Sequence, residues 1–160
     1  MIIIFKILLL FTLITIFFQD YRNRLVYWFL FPIVGILYST LHLEKAGTFQ
    51  FVVNSGINLT LIALMLLTLF VYARAILKRA FFETFGLGDL LLFVAISFSF
   101  SPATFLVLFV CSILFSILLY ITLKNRSTHT TIPLAGNISL FFSVILVLDW
   151  LGCAPDLYLI

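Results

Sequence analysis

Phe85-Gly86-Leu87-Gly88-Asp89-Leu90 stands at the head of an apolar run, 90–98. The run reads as a membrane helix with one carboxylate at its mouth and two glycines just before it. Glycine has no side chain and tolerates positive φ, so another backbone can come close at 86 and 88. A helix starting near Asp89 would place the carboxylate beside free N–H groups and a positive dipole end. Asp is also a preferred N-cap, so capping is one reading of this residue. A second aspartate, Asp20, supplies another, and its place depends on the rest of the chain.

Composition sets the class. Of 160 residues, 64% are apolar and 9% charged, where soluble domains carry about 25% charged residues. Several stretches stay apolar for about 17 residues or more, the length of a membrane span. The runs are continuous, whereas a membrane β-barrel would show alternation. The expected fold is an all-α polytopic membrane protein, a single domain over 1–160 embedded in a lipid bilayer. About six transmembrane helices are expected, from apolar run length. They fall at 2–18, 26–43, 57–72, 89–100, 103–123 and 134–151. Pro32 is expected to kink the second. A polar loop is expected at 44–48, a short interfacial piece at 49–53 and a turn at Ser101-Pro102. The fourth segment is short for a full span at about 1.5 Å per residue.

Several classes drop out. The net charge of +3 is small and follows from membrane orientation, so no nucleic-acid partner is expected. Cys111 and Cys153 are lone and are expected to be small buried hydrophobes. With no Cys-x-x-Cys, neither a zinc ribbon nor a thioredoxin-like site is expected. The N-terminus does not read as a cleavable signal peptide, because Lys6 lies inside the apolar run and no small-residue cleavage site follows.

Basic residues give the orientation. Arg22, Arg24, Arg74, Lys78, Arg79, Lys124 and Arg126 follow the first, third and fifth segments; only Lys6 and Lys45 fall on the other side. Loops rich in Lys and Arg stay in the cytoplasm. Asp20 and Asp89 then share the cytoplasmic face, and Asp149 and Asp156 the opposite one.

An ionisable residue at the edge of hydrocarbon is costly and marks a functional hypothesis. Asp20 can be structural, neutralised by Arg22, Arg24 or a neighbouring helix. Two aspartates on one face allow more. Within a few ångströms of each other, two carboxylates cannot both ionise comfortably, and one keeps a shared proton. The ionised one can take a proton from water while the other donates to a carbonyl. That chemistry requires no metal or cofactor, and none is expected.

Gly86-Leu87-Gly88-Asp89 resembles the Gly-x-Gly-Asp motif of the membrane aspartic proteases. Asp20-Tyr21-Arg22-Asn23-Arg24-Leu25-Val26 is similar to the first-aspartate motif of the prepilin and preflagellin peptidases, roughly Asp-x-Arg-x-Arg-Ile-Ile-Pro-Asn. Ile132-Pro133-Leu134 resembles the Ile-Pro-Phe stretch before the last helix in that family. The resemblance covers nearly the whole chain. It implies that Asp20 and Asp89 are the catalytic pair, with Gly86 and Gly88 supporting the motif. It also implies cleavage of the basic leader of pilin-like or archaellin-like precursors at the cytoplasmic membrane surface. The chain departs from the pattern at three places. Tyr27-Trp28 replace Pro-Asn, Leu91 replaces a Lys, and Leu134-Ala135-Gly136 replace Phe-x-Pro. The N-terminal Cys-x-x-Cys domain of long members, with its N-methyltransferase activity, is not expected here.

Other residues read as structural. His42 and His129 lie far apart, whereas metal sites need clustered ligands. Glu83 can attract a basic leader or be a solvated loop charge. Ser97, Ser99, Ser101, Ser112 and Ser116 are expected to pack helices. Two rival functions stay open: a proteolytically silent accessory protein of a pilus or secretion system, and a subunit translocating ions or protons. Labelling single cysteines placed at Asn125 and Thr48 should report opposite sides of the membrane, cytoplasm and exterior. The same side for both would overturn the orientation.

Overall fold

The computed structural model describes residues 2–78, 85–123, 133–152 and 157–158. Among them every regular element is helical: α1 (Ile2–Asn23), α2 (Leu30–Tyr72), α3 (Leu87–Ile96), α4 (Pro102–Leu123) and α5 (Leu134–Trp150), with a π-helical turn, Ala73–Leu77, after α2. α1, α2 and α4 are long and apolar enough to cross a membrane, and α3 and α5 are shorter apolar helices. Arg79, Glu83, Lys124, Arg126, His129, Ile132, Cys153 and Asp156 lie outside the described residues.

α2 is a hairpin. Its helical hydrogen bonding runs up to Gly47 from both sides, and only Gly47 leaves helical geometry, at φ 78° and ψ 166°. That region of backbone space is essentially restricted to glycine. On a straight helix, His42 and Asn54 would stand about 18 Å apart at 1.5 Å per residue. Instead Asn54 Nδ2 lies 3.3 Å from His42 Nε2, and Phe51 packs edge-on against the His42 ring. The limbs 30–46 and 48–72 therefore run antiparallel. The expected five-residue loop at 44–48 shrinks to one glycine. The stretch 49–53, expected to be a separate interfacial piece, is the first turn of the second limb.

α3 ends at Ile96, and α4 begins at Pro102, where a missing N–H is harmless at the start of a helix. The break between them frees backbone carbonyls inside an apolar core, and an unsatisfied one costs a few kcal/mol. α2 side chains take them. Asn58 Nδ2 donates to both Ser97 O and Phe100 O at 2.9 Å. His42 Nδ1 donates to Phe98 O at 3.0 Å. The five serines expected to pack helices are all buried. Ser97, Ser99 and Ser112 bond carbonyls three residues earlier.

α1 and α5 pack antiparallel, with a polar contact near each end. Lys6 Nζ meets Asp149 Oδ2 at 2.6 Å, and the Gly136 N–H donates to Asp20 Oδ2 at 2.6 Å. Asp20 is 14 residues beyond Lys6 on α1, and Asp149 is 13 beyond Gly136 on α5, so both helices span about 20 Å between the contacts. Leu9, Leu13 and Ile16, all fully buried, fill the seam between them with Ile138 and Phe142.

A further expectation is corrected. Cys111 is exposed on α4, not buried. The outer faces of these helices are themselves apolar, with Leu106, Val107, Val110 and Leu114 exposed nearby. A small apolar thiol therefore sits outward without penalty.

Gly47→Ala should destabilise the protein by about 1–3 kcal/mol, the cost of holding a side chain in a glycine-only conformation. An added Cβ at Gly47 meets nothing within 4 Å, so the penalty is one of backbone alone. Gly56, also with open space around it, lies inside the second limb, and Gly56→Ala should be neutral or stabilising by up to about 1 kcal/mol. Equilibrium unfolding in mixed detergent would compare them, and equal effects would refute the hairpin geometry.

Candidate functional site: two carboxylates at the head of α5

Asp20 extends the buried stripe of α1. Positions 9, 13, 16 and 20 follow one another at helical spacing, and all four are buried. That stripe faces α5. The 2.6 Å bond from Gly136 is shorter than the usual N–H···O distance of about 2.9–3.0 Å, as fits a charged acceptor. Glycine at 136 makes the approach possible. A Cβ there would come within 3.1 Å of both Asp20 Cβ and Asp20 Oδ2, and within 3.4 Å of Phe17 O.

Asp89 reaches the same place from α3. The N-cap is Gly86, at φ −70° and ψ 136°, so Asp89 lies in the first turn and is not the cap. There its charge faces the positive end of its own helix. Its carboxylate folds back over Gly86, where an added Cβ would meet Asp89 Oδ2 at 3.0 Å. It hydrogen-bonds the backbone of Ala135 and stands close enough to Asp20 for the two charges to act on each other.

The two aspartates thus take consecutive peptide groups, Ala135 and Gly136, whose Cα atoms are about 3.8 Å apart. These are the second and third residues of α5, and the first N–H groups of a helix have no partner inside it. Pro133, at the N-cap, makes no side-chain cap bond. Asp20 and Asp89 cap α5 from two other helices. Asn137 Nδ2 donates to Ser116 Oγ at 3.0 Å, which sets the pair level with Ser116. α4 continues for seven residues beyond it, to Leu123, or about 10 Å. The carboxylates are therefore recessed below the end of that helix.

Neither glycine of the motif serves backbone freedom, since neither Gly86 nor Gly88 has positive φ, and only Gly86 is short of space. At Gly88 an added Cβ would make only an ordinary 3.5 Å contact with Phe31 Cζ. Leu91 is two residues from Asp89, about 200° around a helix of 3.6 residues per turn. It lines an apolar pocket of about 330 Å³ between α2 and α3 with Phe31, Gly35, Val94 and Phe98, on the far side of α3 from the carboxylates. Tyr27 and Trp28 point outward, and the Tyr27 N–H donates to Gln19 Oε1 at 3.1 Å. His42 is remote from the pair, held between Asn54 of the second α2 limb and the Phe98 carbonyl of the turn after α3. Among the described residues no three His, Cys, Asp or Glu side chains gather as metal ligands.

Sequence reading pointed to the aspartates but missed the amides between them. The available signal was Pro133 followed by the small residues Ala135 and Gly136, a helix start with bare N–H groups. Comparison of the chain with family models, curated proteins and solved structures found no match.

Gly136→Ala should cost about 1–3 kcal/mol, as overpacking does in a tight interior. Gly88→Ala should be close to neutral. Thermal or denaturant unfolding in detergent reads both, and a neutral Gly136→Ala would show that α1 and α5 do not touch there.

Proposed function

We propose that this chain is a membrane aspartic endopeptidase of the prepilin-peptidase kind, with Asp20 and Asp89 as its catalytic pair. Its substrate is a pilin-like precursor, cleaved at the leader on the cytoplasmic face of the plasma or inner membrane. The observation that carries the reading is the convergence of the two carboxylates on the consecutive amides of Ala135 and Gly136. α1, the two limbs of α2, α3, α4 and α5 are the six segments of the bundle. Their orientation follows from the basic loops.

The reaction balances with water alone. One carboxylate takes a proton from water as its oxygen attacks the scissile carbonyl carbon. The other, protonated, gives its proton to the carbonyl oxygen, and a neutral gem-diol forms. The first then returns a proton to the amide nitrogen, the C–N bond breaks and an amine leaves. The second recovers a proton from a diol hydroxyl, leaving a carboxylic acid. Two adjacent helix amides keep one net negative charge on the pair throughout.

The test is processing of a co-expressed pilin-like precursor, read as a mobility shift. Asp20→Asn and Asp89→Asn should each abolish processing about as fully as the double mutant, because residues acting as one unit are non-additive. Arg22→Ala should be mild, since Arg22 is exposed. Chelators should have no effect. Full processing by Asp89→Asn would sink the reading. No processing by the unmutated chain, over several precursors, would favour a silent accessory protein.

A further inference from the structure

We propose that the bundle binds ordered water between the two limbs of α2, held by Asn58, Ser55 and Tyr38 beside the turn that follows α3. The site is independent of the two carboxylates and of the endopeptidase reading.

Asn58 shows which atom needs a partner. Its Nδ2 spends both hydrogens, on Ser97 O and Phe100 O, each at 2.9 Å. Those two bonds fix the amide, since a flipped group would set its oxygen against two carbonyl oxygens. Oδ1 is therefore turned away from both carbonyls, and it can only accept. It is buried and has no hydrogen-bond partner, on a residue with no exposed surface. Two hydroxyls are in the same state. Ser55 lies three residues before Asn58 on the second limb, so the two share a face, with Cβ atoms about 5–6 Å apart. Tyr38 lies four residues before His42 on the first limb, hence on the face that His42 turns to Asn54. Its ring meets the Phe100 ring edge-on, with centroids 5.9 Å apart, and Phe100 is a residue whose carbonyl Asn58 holds. Ser55 is 5% exposed and Tyr38 1%. Among the described residues neither hydroxyl has a hydrogen-bond partner.

Polar atoms left unpaired in an apolar bundle are costly, and buried groups of this kind are as a rule bonded to protein or to ordered water. Ser97, Ser99 and Ser112 show the direct remedy, a bond to a carbonyl three residues earlier. Ser55 does not take it, and Tyr38 cannot reach back to its own turn. Water supplies what is missing: hydrogens for Asn58 Oδ1, which must accept, and lone pairs for the two hydroxyls, which can donate. A buried water typically makes about three such bonds to otherwise unsatisfied groups. Phe51 and Tyr158 pack against the His42 ring, at 5.4 and 5.7 Å between centroids, and cover this part of the hairpin. The water completes the seat of the turn after α3, and with it the fixed end of the helix that carries Asp89.

Radiolytic hydroxyl-radical footprinting of the full chain in lipid nanodiscs tests this, because radicals formed from bound water oxidise the side chains beside it. Tyr38 should be oxidised despite its burial, while Phe93 and Phe105, 2% and 1% exposed, stay unmodified at the same dose. Ser55→Ala removes a hydroxyl that has no partner in the protein, and it should lower the oxidation of Tyr38. Asn58→Leu should abolish it. Unfolding in mixed detergent gives a second readout that holds even if Asn58→Leu does not fold. Tyr38→Phe keeps the ring and removes only the hydroxyl. It should lower the unfolding midpoint, since the hydroxyl is bonded to water; removing an unsatisfied hydroxyl from a dry site would raise it. Tyr38 as inert as Phe93 and Phe105, oxidation indifferent to Ser55→Ala, or a midpoint that Tyr38→Phe does not lower would each overturn the inference.

Discussion

A peptide N–H in an apolar bundle has no water to turn to, so every break in helical hydrogen bonding must be met by another part of the protein. The head of α5 is the sharpest case. Its first N–H groups lack partners, and its N-cap, Pro133, supplies no side-chain bond. Acceptors must come from elsewhere, and a carboxylate is the strongest available at the positive end of a helix. Asp20 and Asp89 answer that need from α1 and α3. Their mutual approach is a consequence: two acceptors on neighbouring amides are necessarily close. The same contacts that settle α5 in the bundle also bring the two carboxylates to one place.

The remaining breaks follow the same rule. The 97–101 turn exposes carbonyls, and Asn58 and His42 on the two limbs of α2 donate to them. The bend at Gly47 exists so that those limbs can present the two side chains together. Lys6 and Asp149, both mostly buried, pair at the far end of the α1–α5 seam. Removing one of the two would leave an uncompensated charge, so they act as a register mark opposite the Asp20 contact. Several of the bundle's buried polar side chains stand at its breaks, and others, such as Ser112 and Ser143, turn back to carbonyls of their own helices.

This explains what could be read in advance. The all-helical class and the approximate positions of the apolar segments were legible, because continuous apolar runs of sufficient length have few other solutions. Asp20 and Asp89 were legible as a candidate pair from charge placement and from their local motifs. The hairpin at Gly47 was not, since Glu44-Lys45-Ala46-Gly47-Thr48 looks like a loop and only coordinates show helical hydrogen bonding running up to a single glycine. Ala135 and Gly136 were also hidden, because their contribution is main-chain N–H, which every residue but proline carries.

The convergence on α5 is best tested at the amides themselves. In protein labelled selectively at alanine and glycine and held in nanodiscs, the Gly136 amide proton should resonate far downfield, as a short bond to a carboxylate requires. Asp20→Asn should move the Gly136 resonance most and Asp89→Asn the Ala135 resonance most, with distant amides such as Gly56 unchanged. If neither resonance responds to either substitution, the two carboxylates do not meet at the head of α5.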